Sequence, residues 1–597
     1  MIPITTYYSP RKAIVATAAT AAAMLLSFQT VLVQSCSDFL VTPGASLDGS
    51  AMIAYNADDV GLNGVLYHYP ATTNNDVHSN ISIYEWDSGE YLGEIPQVKE
   101  TFNVVGNGNE YGLVIGESTF GGIPILGRPL DPKNRGIDYG SLIYITLQRS
   151  KTAKEAIHTM VDLMDTHGYA SEGESFSIAD ASGEVWIMEV IGRGPTFGKM
   201  GAVWVARRVP DGYVTAHANQ ARITTFPRDD AETCLYADDV IDVAVHYGLY
   251  SKAADPAAFS FSDVYDPVGF SGARFSDARV WSMFSQIADE DGSFQIQYQD
   301  YASGQNLTNR MPLFIKPHKK LDVRDVMDLM NSHYDGTGLD SSHDVGAGLF
   351  GAPYRPRPLE WTFGEMRYFN ERTVAIEKTG WNFVAQIRPH MPRELAALIW
   401  FGVDDSSTSP RLPVYASSKM VPEAYAGKGT QDGVKFDIFK FDMKKAFWIQ
   451  NLVSNFAYSR WNDCYPTVRH KIDEIHAAFA YQVAHVDAKA LDLYKKQDAS
   501  VAVDFVTMFT AEAGEDLQRE WTAFFGDLFT RFRDFSIILP DPDSSRGFTI
   551  ESPGLSEEVK RRIVMETGTR YQVRQQYGET PGLRWGGQAT EVLVKAY

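Results

Sequence analysis

Cys36 lies where an apolar leader ends and two short strand-like runs begin, and this junction restricts the possible folds more than any other part of the sequence. A basic pair at residues 11–12 precedes an apolar stretch at residues 13–26, and residues 33–35 (Val-Gln-Ser) suit a signal-peptidase site. We therefore predict a signal peptide over residues 1–35. Its removal would make Cys36 the first residue of the chain, and the fold would have to hold that chain end in place.

An N-terminal cysteine carries a nucleophile and a base in one residue. Its thiol attacks, and an α-amine of intrinsic pKa about 7.7 to 8.0 accepts the thiol proton near neutral pH. Three other interpretations of Cys36 stay open at this point. The first is a lipid-modified cysteine, although Gln34 occupies a position where lipoprotein sites prefer a small residue. The others are a half-cystine and an uncleaved leader that anchors the chain in a membrane.

Composition and charge exclude several classes of partner. The 597 residues carry a formal net charge of −21, and such a surface repels phosphate backbones and anionic lipid, so we expect no nucleic-acid partner. Beyond the leader no stretch is long and apolar enough to cross a bilayer, so we expect no stable membrane insertion after cleavage. No metal or cofactor motif occurs, and we predict neither. If Cys36 is catalytic, Cys234 and Cys464 are left as one potential disulfide.

The residues after Cys36 predict a β-hairpin. Two short apolar runs, residues 38–42 and 51–56, flank a turn-rich segment at residues 43–50 that contains Pro-Gly and Asp-Gly. Cys36 then lies at the start of the first strand, close to the end of the second.

The register of this hairpin decides what faces Cys36. If the turn is centred near Leu47, residues whose numbers sum to about 94 face each other, and Cys36 lies opposite Asp58. A centre at Asp48-Gly49 shifts the pairing by about three residues. In either register an acid lies near Cys36, where it can orient the thiol or the ammonium group, and Asn56 can add a hydrogen bond.

Cys36, the turn at residues 43–50 and Asn56-x-Asp58 together resemble the start of the N-terminal-nucleophile cysteine dipeptidases, a family that includes the secernins. Further blocks similar to that family follow in the same order, at residues 109–118, 178–180, 184–189, 217–223, 334–337 and 400–405. The resemblance runs from Cys36 to about residue 470, and the shared order of the blocks makes it specific.

The resemblance implies an α+β fold, an αββα sandwich in which helical layers cover two antiparallel sheets and the processed N-terminus lies at one sheet end. We divide the chain into a signal peptide (1–35), an N-terminal-nucleophile hydrolase domain (36–443) and a helical C-terminal region (444–597) packed on that domain. From residue 444 onward the sequence is typical of helices, with aromatic residues at helical spacing.

Local signals agree with helices layered on antiparallel strands. Thr152-x-x-Glu155 is a capping box that predicts the start of a helix, and Gly168 predicts its end. Residues 176–190 have the pattern of a hairpin, and strand-like runs at 203–206 and 213–216 flank a Pro-Asp-Gly turn.

The resemblance also implies roles for individual residues. Cys36 is expected to be the nucleophile and, through its amine, the general base; Asp58 is expected to hold that amine; and Asn219 is expected to donate a hydrogen bond to the oxyanion. One such donor is worth about 3 kcal/mol of transition-state stabilisation. The residues expected at the substrate pocket are Asn56, Glu117, Ser118 and Thr119.

Tyr55 departs from the pattern of related N-terminal-cysteine hydrolases, which usually carry arginine before the Asn-x-Asp motif. A tyrosine donates a hydrogen bond but holds no fixed positive charge beside a thiolate. Either another cation replaces the arginine, with Arg274 and Arg279 as candidates, or the thiol is less activated.

Together these features predict a secreted or lumenal cysteine-type dipeptidase in the secretory pathway, with small peptides as substrates and an acyl-enzyme on Cys36. One alternative is a linear-amide hydrolase of the acylase type, which accepts N-acyl groups. The other is a non-catalytic, secernin-like protein in secretion, which Tyr55 keeps open. The sequence leaves the oligomeric state undetermined.

Overall fold

The computed structural model describes residues 36–59, 61–73, 79–127, 136–355, 360–427 and 440–572. The predicted signal peptide lies outside the described residues.

Eighteen of the twenty described strands lie before residue 416, and the other two form a hairpin near the end of the described chain. In chain order they are β1 (Ser37–Val41), β2 (Ala51–Asp58), β3 (His68–Tyr69), β4 (Asn80–Tyr84), β5 (Tyr91–Pro96), β6 (Val104–Val105), β7 (Gly108–Asn109), β8 (Val114–Gly121), β9 (Gly173–Ala179), β10 (Val185–Gly192), β11 (Ala202–Arg208), β12 (Val214–His217), β13 (Cys234–Tyr236), β14 (Glu360–Phe363), β15 (Met366–Phe369), β16 (Thr379–Ile387), β17 (Ala397–Val403), β18 (Leu412–Tyr415), β19 (Ile537–Pro540) and β20 (Phe548–Glu551).

These strands form two large antiparallel sheets. One has six strands in the order β12-β1-β2-β16-β17-β18, and the other has eight in the order β13-β11-β10-β9-β8-β7-β6-β3. Three separate hairpins pair β4 with β5, β14 with β15 and β19 with β20. Because β1 and β2 lie inside the six-stranded sheet, the residues at their ends are held by neighbours on both sides.

The helices are α1 (Tyr139–Leu147), α2 (Ala153–His167), α3 (Val240–His246), α4 (Phe261–Tyr265), α5 (Ala278–Ser285), α6 (Ser293–Ala302), α7 (Val323–Leu329), α8 (Arg393–Ala396), α9 (Ala446–Ser459), α10 (Trp461–Lys496), α11 (Ala499–Phe532) and α12 (Glu557–Thr567). A π-helical segment, Gly272–Asp277, runs directly into α5. None of the described helices combines the length and apolar character needed to cross a bilayer.

Each of the two large sheets is contacted by its own set of helices. Helices α1 and α2 contact the eight-stranded sheet, whereas α7, α9, α10 and α11 contact the six-stranded sheet. Strands β1 and β2 contact β8 and β9 of the other sheet. The contact between the sheets is close at Gly116, where an added Cβ would lie 2.5 Å from Asp38 Oδ1. A glycine there lets the buried Asp38 carboxyl group reach the neighbouring sheet.

The predicted start and end of helix α2 are confirmed, but the capping box is only half formed, because the Glu155 carboxylate accepts from the backbone N–H of Lys151 and not from that of Thr152. Helix α2 begins after Thr152, whose side chain accepts a hydrogen bond from the Glu155 backbone N–H, and it ends at Gly168, which has φ 90°. The predicted hairpin at residues 176–190 is also confirmed, because β9 and β10 pair antiparallel through Ala179 and Val185.

The Pro-Asp-Gly turn at residues 210–212 connects two strands of different sheets. Strand β11 pairs with β10 and β13, whereas β12 pairs with β1. The two predicted runs are therefore strands, and the turn carries the chain from one sheet to the other. Cys234 in β13 and Cys464 in α10 are both free and buried, so the potential disulfide is not formed.

Candidate active site

Cys36 precedes β1 directly and is only 2% exposed. Its Sγ lies 3.4 Å from the Tyr55 hydroxyl oxygen and 3.5 Å from Glu117 Oε1. Tyr55 belongs to β2, where it pairs with Asp38 of β1, and Glu117 belongs to β8 in the other sheet. The cysteine is thus held between the two sheets, beside one phenol and one carboxyl group.

The surroundings of the Cys36 thiol favour its protonated form. Burial raises the pKa of the thiol well above its usual value, and the carboxyl groups of Glu117 and Asp58 raise it further. Hydrogen bonds from the Tyr55 hydroxyl and from the Asp58 backbone N–H partly offset this rise. A thiol in this position needs a base that takes its proton during attack.

The hairpin register differs from the predicted one by one residue. Ser37 pairs with Asn56, so Cys36 is level with Ala57 and neither of the two registers considered is exact, but the predicted proximity of Asp58 to Cys36 is confirmed. The turn begins with a short 3₁₀ helix, Pro43–Ala45, which moves its centre slightly toward the first strand. Asp58 consequently approaches the Cys36 sulfur through its backbone N–H.

The Asp58 carboxylate binds two groups from distant parts of the chain. Arg372 donates to Oδ2 at 2.5 Å, and the Thr379 hydroxyl donates to Oδ1 at 2.5 Å. Burial raises the pKa of Asp58, while the Arg372 charge and the Thr379 hydrogen bond oppose that rise. A register shift in β16 between Thr379 and Trp381 directs the threonine side chain to the acid.

Arg279, one of the two candidate cations, lies beside the cysteine. Its guanidinium donates to the carbonyl oxygen of Cys36 at 2.6 Å, to Ser37 Oγ at 2.9 Å and to Asn219 Oδ1 at 2.7 Å. Burial, with Arg372 as the next cause, lowers the pKa of Arg279 to about 9. The other candidate, Arg274, instead binds the Glu371 carboxylate.

Asn219 follows β12 and has a left-handed backbone, with φ 62°. Asparagine is one of the few residues that adopt this conformation, and such strain is concentrated at functional sites. Its Nδ2 donates to the Thr119 carbonyl oxygen at 2.5 Å, and its Oδ1 is held by Arg279. Arg279 therefore joins Asn219 to Cys36.

Asn56 lies elsewhere in the packing. Its Nδ2 donates to the carbonyl oxygens of Met330 and Val374, both at 3.1 Å, and to Ser406 Oγ at 3.2 Å. Since neighbouring side chains of a strand point to opposite faces, Asn56 points away from the face of Tyr55. The structure thus places Asn56 where it ties three loops to β2, and none of these hydrogen bonds reaches Cys36.

The three consecutive pocket residues predicted on β8 separate onto two faces. Glu117 and Thr119 share one face, where Thr119 Oγ1 donates to Glu174 Oε1 at 2.8 Å. Ser118 is on the other face, and its Oγ lies 2.6 Å from His217 Nδ1. Of the three, Glu117 contacts the Cys36 thiol.

His217 links the two sheets through a buried polar chain. Its Nε2 lies 2.7 Å from Ser177 Oγ, which also donates to Asp38 Oδ1 at 3.0 Å. Burial lowers the pKa of His217 to about 3, with Arg222 as the second cause. The imidazole is therefore neutral, and it acts as a hydrogen-bonded spacer between strands.

The match to a known family extends over this whole arrangement. Residues 35–474 match Peptidase C69, peptidase family C69, which is most of the chain and spans both sheets. The chain belongs to peptidase family C69. The resemblance to the N-terminal-nucleophile cysteine peptidases is thereby confirmed.

The relatives have low sequence identity to this chain, but the match covers most of both chains. Dipeptidase A of Lactobacillus helveticus is 22% identical over 79% of this chain and 92% of its own length. A probable dipeptidase A of Streptococcus pyogenes serotype M18 is 24% identical over 76% of this chain and 89% of its own. Among solved structures, a mutant conjugated bile acid hydrolase from Clostridium perfringens aligns with a TM-score of 0.26 and 10% identity, covering 62% of this chain and 89% of that chain.

Sequence reasoning missed two polar residues of this family C69 site. Glu174, on β9, bonds to Thr119 and to Glu117, and Arg372 precedes β16 by several residues and binds Asp58. No local motif marks either residue. A cross-strand pairing of β8 with β9 is the one signal that leads to Glu174, because it sets Thr119 opposite that acid.

Proposed function

We propose that this chain is a cysteine-type dipeptidase that hydrolyses dipeptides through an acyl-enzyme on Cys36. Membership of peptidase family C69 supports a peptidase, and the names of its relatives support dipeptides as substrates. The observation that carries the proposal is the environment of Cys36. Its thiol contacts Tyr55 and Glu117, and its carbonyl oxygen is bound by Arg279, which also holds Asn219.

In the proposed reaction, residues 1–35 are removed as a signal peptide and the freed α-amine of Cys36 takes the thiol proton. The sulfur attacks the amide carbon, and Asn219 Nδ2 leaves the Thr119 carbonyl oxygen to stabilise the oxyanion. The carbon–nitrogen bond then breaks as the ammonium group returns its proton to the leaving amine. Water, deprotonated by the same amine, hydrolyses the thioester and frees the thiol. Asp58 orients the amine.

The finer architecture is part of the same proposal. Two facing antiparallel sheets with helices on each support an αββα sandwich of the N-terminal-nucleophile hydrolase type. We assign residues 36–443 to this catalytic domain and residues 444–597 to a mainly helical region packed on it, which also contains the β19–β20 hairpin and of which residues 573–597 lie outside the described residues. The leader supports secretion or a lumenal location.

The decisive experiment determines the N-terminal residue and measures dipeptide turnover on the same protein. Intact mass and terminal sequencing of protein from its native host are expected to show a free amine on Cys36. This protein should hydrolyse dipeptides, and Cys36→Ala should abolish turnover while leaving the unfolding midpoint nearly unchanged. Cys234→Ala is the matched control, because Cys234 is also buried and free but lies in β13; it should retain activity.

Other outcomes select other functions. Hydrolysis of N-acyl amino acids but not of dipeptides would identify an acylase-type hydrolase. A free N-terminus with no hydrolysis of either class, and a biological function untouched by Cys36→Ala, would identify a non-catalytic protein. A blocked or lipid-modified Cys36, or an N-terminus elsewhere, would remove the base and overturn the mechanism.

A further inference from the structure

One buried carboxyl group, Glu117, contacts the Cys36 thiol, and a second, Glu174, lies beside Glu117. Glu117 is 1% exposed and Glu174 is 0% exposed, and they come from the neighbouring strands β8 and β9. Glu117 Oε1 accepts a hydrogen bond from the Tyr55 hydroxyl at 2.5 Å, and Glu174 Oε1 accepts one from the Thr119 hydroxyl at 2.8 Å. The second oxygen of each carboxyl group, Oε2, is buried. Among the described residues, no hydroxyl or N–H group donates a hydrogen bond to it.

Among the described residues, the carboxyl pair has no compensating cation. No lysine, arginine or histidine nitrogen lies within 4 Å of either group in the described part of the chain. The two carboxyl groups lie within hydrogen-bonding reach of each other, so a proton shared between them would relieve their repulsion. Burial is the main cause that raises the pKa of both groups, and mutual repulsion raises that of Glu174 further. Buried acids without a cation are suited to receive one from a ligand.

The covalent geometry of a peptide places its α-ammonium group close to the carbon that is attacked. The nitrogen and the carbonyl carbon are two bonds apart, about 2.5 Å, and the attacking sulfur approaches that carbon to about 3 to 3.5 Å. A group that binds the ammonium must therefore lie within a few ångströms of the nucleophile. Glu117 Oε1, at 3.5 Å from Cys36 Sγ, meets this requirement.

We propose that Glu117 and Glu174 bind the free α-ammonium group of the substrate's first residue. This inference rests on the proposed function and names its substrate class, peptides with an unblocked amino terminus. Glu117 contacts the ammonium group, and Glu174 supplies the second carboxylate as the shared proton leaves to solvent. The pair would then distinguish dipeptides from N-acyl amides of the same shape.

Glu174→Gln is the variant that tests the pair without touching the thiol. The new amide can accept from Thr119 and donate to Glu117, so the hydrogen bonds are kept and one negative charge is removed. Relief of carboxyl repulsion favours folding of this variant. Glu172→Gln is the matched control, because Glu172 is exposed and directly precedes the same strand, two residues from Glu174.

The substrates to compare are alanyl-alanine and propionyl-alanine, which differ only in the α-amino group. Wild-type enzyme should show a kcat/KM at least about 100-fold higher for alanyl-alanine, and Glu174→Gln should reduce that preference by about 10- to 100-fold. Glu172→Gln should leave it unchanged. The inference is overturned if the wild-type enzyme does not prefer alanyl-alanine. It is also overturned if Glu174→Gln lowers kcat/KM equally for both substrates, because that result is expected if the carboxyl pair binds the α-amine of Cys36 and not that of the substrate.

Equilibrium binding separates this inference from the proposed function. Calorimetry on Cys36→Ala, which does not turn over, should show tighter binding of alanyl-alanine than of propionyl-alanine, and Glu174→Gln in that background should remove the difference. If alanyl-alanine binds more tightly than propionyl-alanine but the wild-type enzyme hydrolyses neither, the proposed function is contradicted and the ammonium site is supported. Hydrolysis with no preference contradicts the ammonium site alone.

Discussion

At the scale of single residues, Tyr55 defines the character of the site. Its phenol lies between the Cys36 thiol and the Glu117 carboxyl group. A neutral donor stabilises whichever neighbour is ionised, but it leaves the site without a fixed positive charge at that point. The nearest described cation, Arg279, acts on the carbonyl oxygen of Cys36.

Tyr55→Phe should therefore shift thiol reactivity to higher pH. The Tyr55 hydrogen bond lowers the pKa of the Cys36 thiol and that of Glu117, so its loss raises both. We expect the midpoint of iodoacetamide alkylation to rise by about one pH unit, the equivalent of one hydrogen bond. Tyr213→Phe, on a partly exposed tyrosine outside the site, is the control. An unchanged midpoint in Tyr55→Phe would contradict this role.

Which site residues can be predicted from the sequence depends on how far apart the interacting residues lie along the chain. Cys36 and Glu117 were predicted from motifs and do meet in the structure. Arg372 binds Asp58 across 314 positions of sequence, and no local pattern carries that information. The resemblance places Asn56 at the substrate pocket, but alternation along β2 turns its side chain to the face opposite Tyr55, where it bonds to the Met330 carbonyl oxygen.

At the scale of elements, packing overrides intrinsic preference in α11. Gly514 lies inside this long helix, where alanine is ordinarily favoured by about 1 kcal/mol. A Cβ at Gly514 would lie 2.2 Å from Pro422 Cγ and 2.4 Å from Pro422 Cβ, atoms of a rigid ring. The glycine thus permits a close approach between α11 and the segment after β18.

Gly514→Ala should destabilise the protein by about 1 to 3 kcal/mol, the usual cost of overpacking. Gly526→Ala, in the same helix, should stabilise it by up to about 1 kcal/mol, because Gly526 is exposed and an added Cβ meets nothing within 4 Å. Urea unfolding of both variants measures the difference. A stabilising effect of Gly514→Ala would show that α11 is free to move away from Pro422.

Elements with complete local signals were predictable. Helix α2 has its cap, its apolar face and its terminating glycine within one segment, and all three are as expected. The turn between β11 and β12 has equally clear local signals, yet its strands join different sheets. Which sheet a strand joins depends on its partners, and β12 finds its partner in β1, far back in the sequence.

At the scale of the whole molecule, several buried carboxyl groups have pKa values raised to near neutrality. Burial is the main cause that raises the pKa of Asp266 and Asp404 to about 7 and that of Glu189 to about 8. In an unfolded chain such groups ionise near pH 4. The folded state therefore binds more protons across the intervening range, and stability must fall as pH rises through it.

The free energy of unfolding should decrease from pH 6.5 to pH 8.5. The loss is up to about 1.4 kcal/mol per pH unit for each carboxyl group still protonated in the folded state. His217, with its lowered pKa, acts in the opposite direction only below about pH 6.5, so it does not mask the trend. Urea titrations at pH 6.5, 7.5 and 8.5 test this directly.

Glu189→Gln provides the control for that pH dependence. Glu189 Oε1 accepts hydrogen bonds from the backbone N–H groups of Arg222 and Ile223, and an amide oxygen can do the same. Removing this one titrating group should make the decline between pH 6.5 and 8.5 shallower. Stability that is constant or rising over this range in the unaltered protein would contradict the protonated interior.

The hydrogen bond from Arg279 to the Cys36 carbonyl oxygen bears on the motion of a newly exposed chain end. The first residue of a protein normally frays, and a nucleophile on a fraying end spends little time aligned for attack. Here the carbonyl is clamped and strand pairing starts at Ser37, so a chain that began at Cys36 would retain rotation only about the bonds to its amine and its sulfur. Both reactive groups would then be confined to a small volume, at a high effective molarity toward a bound substrate.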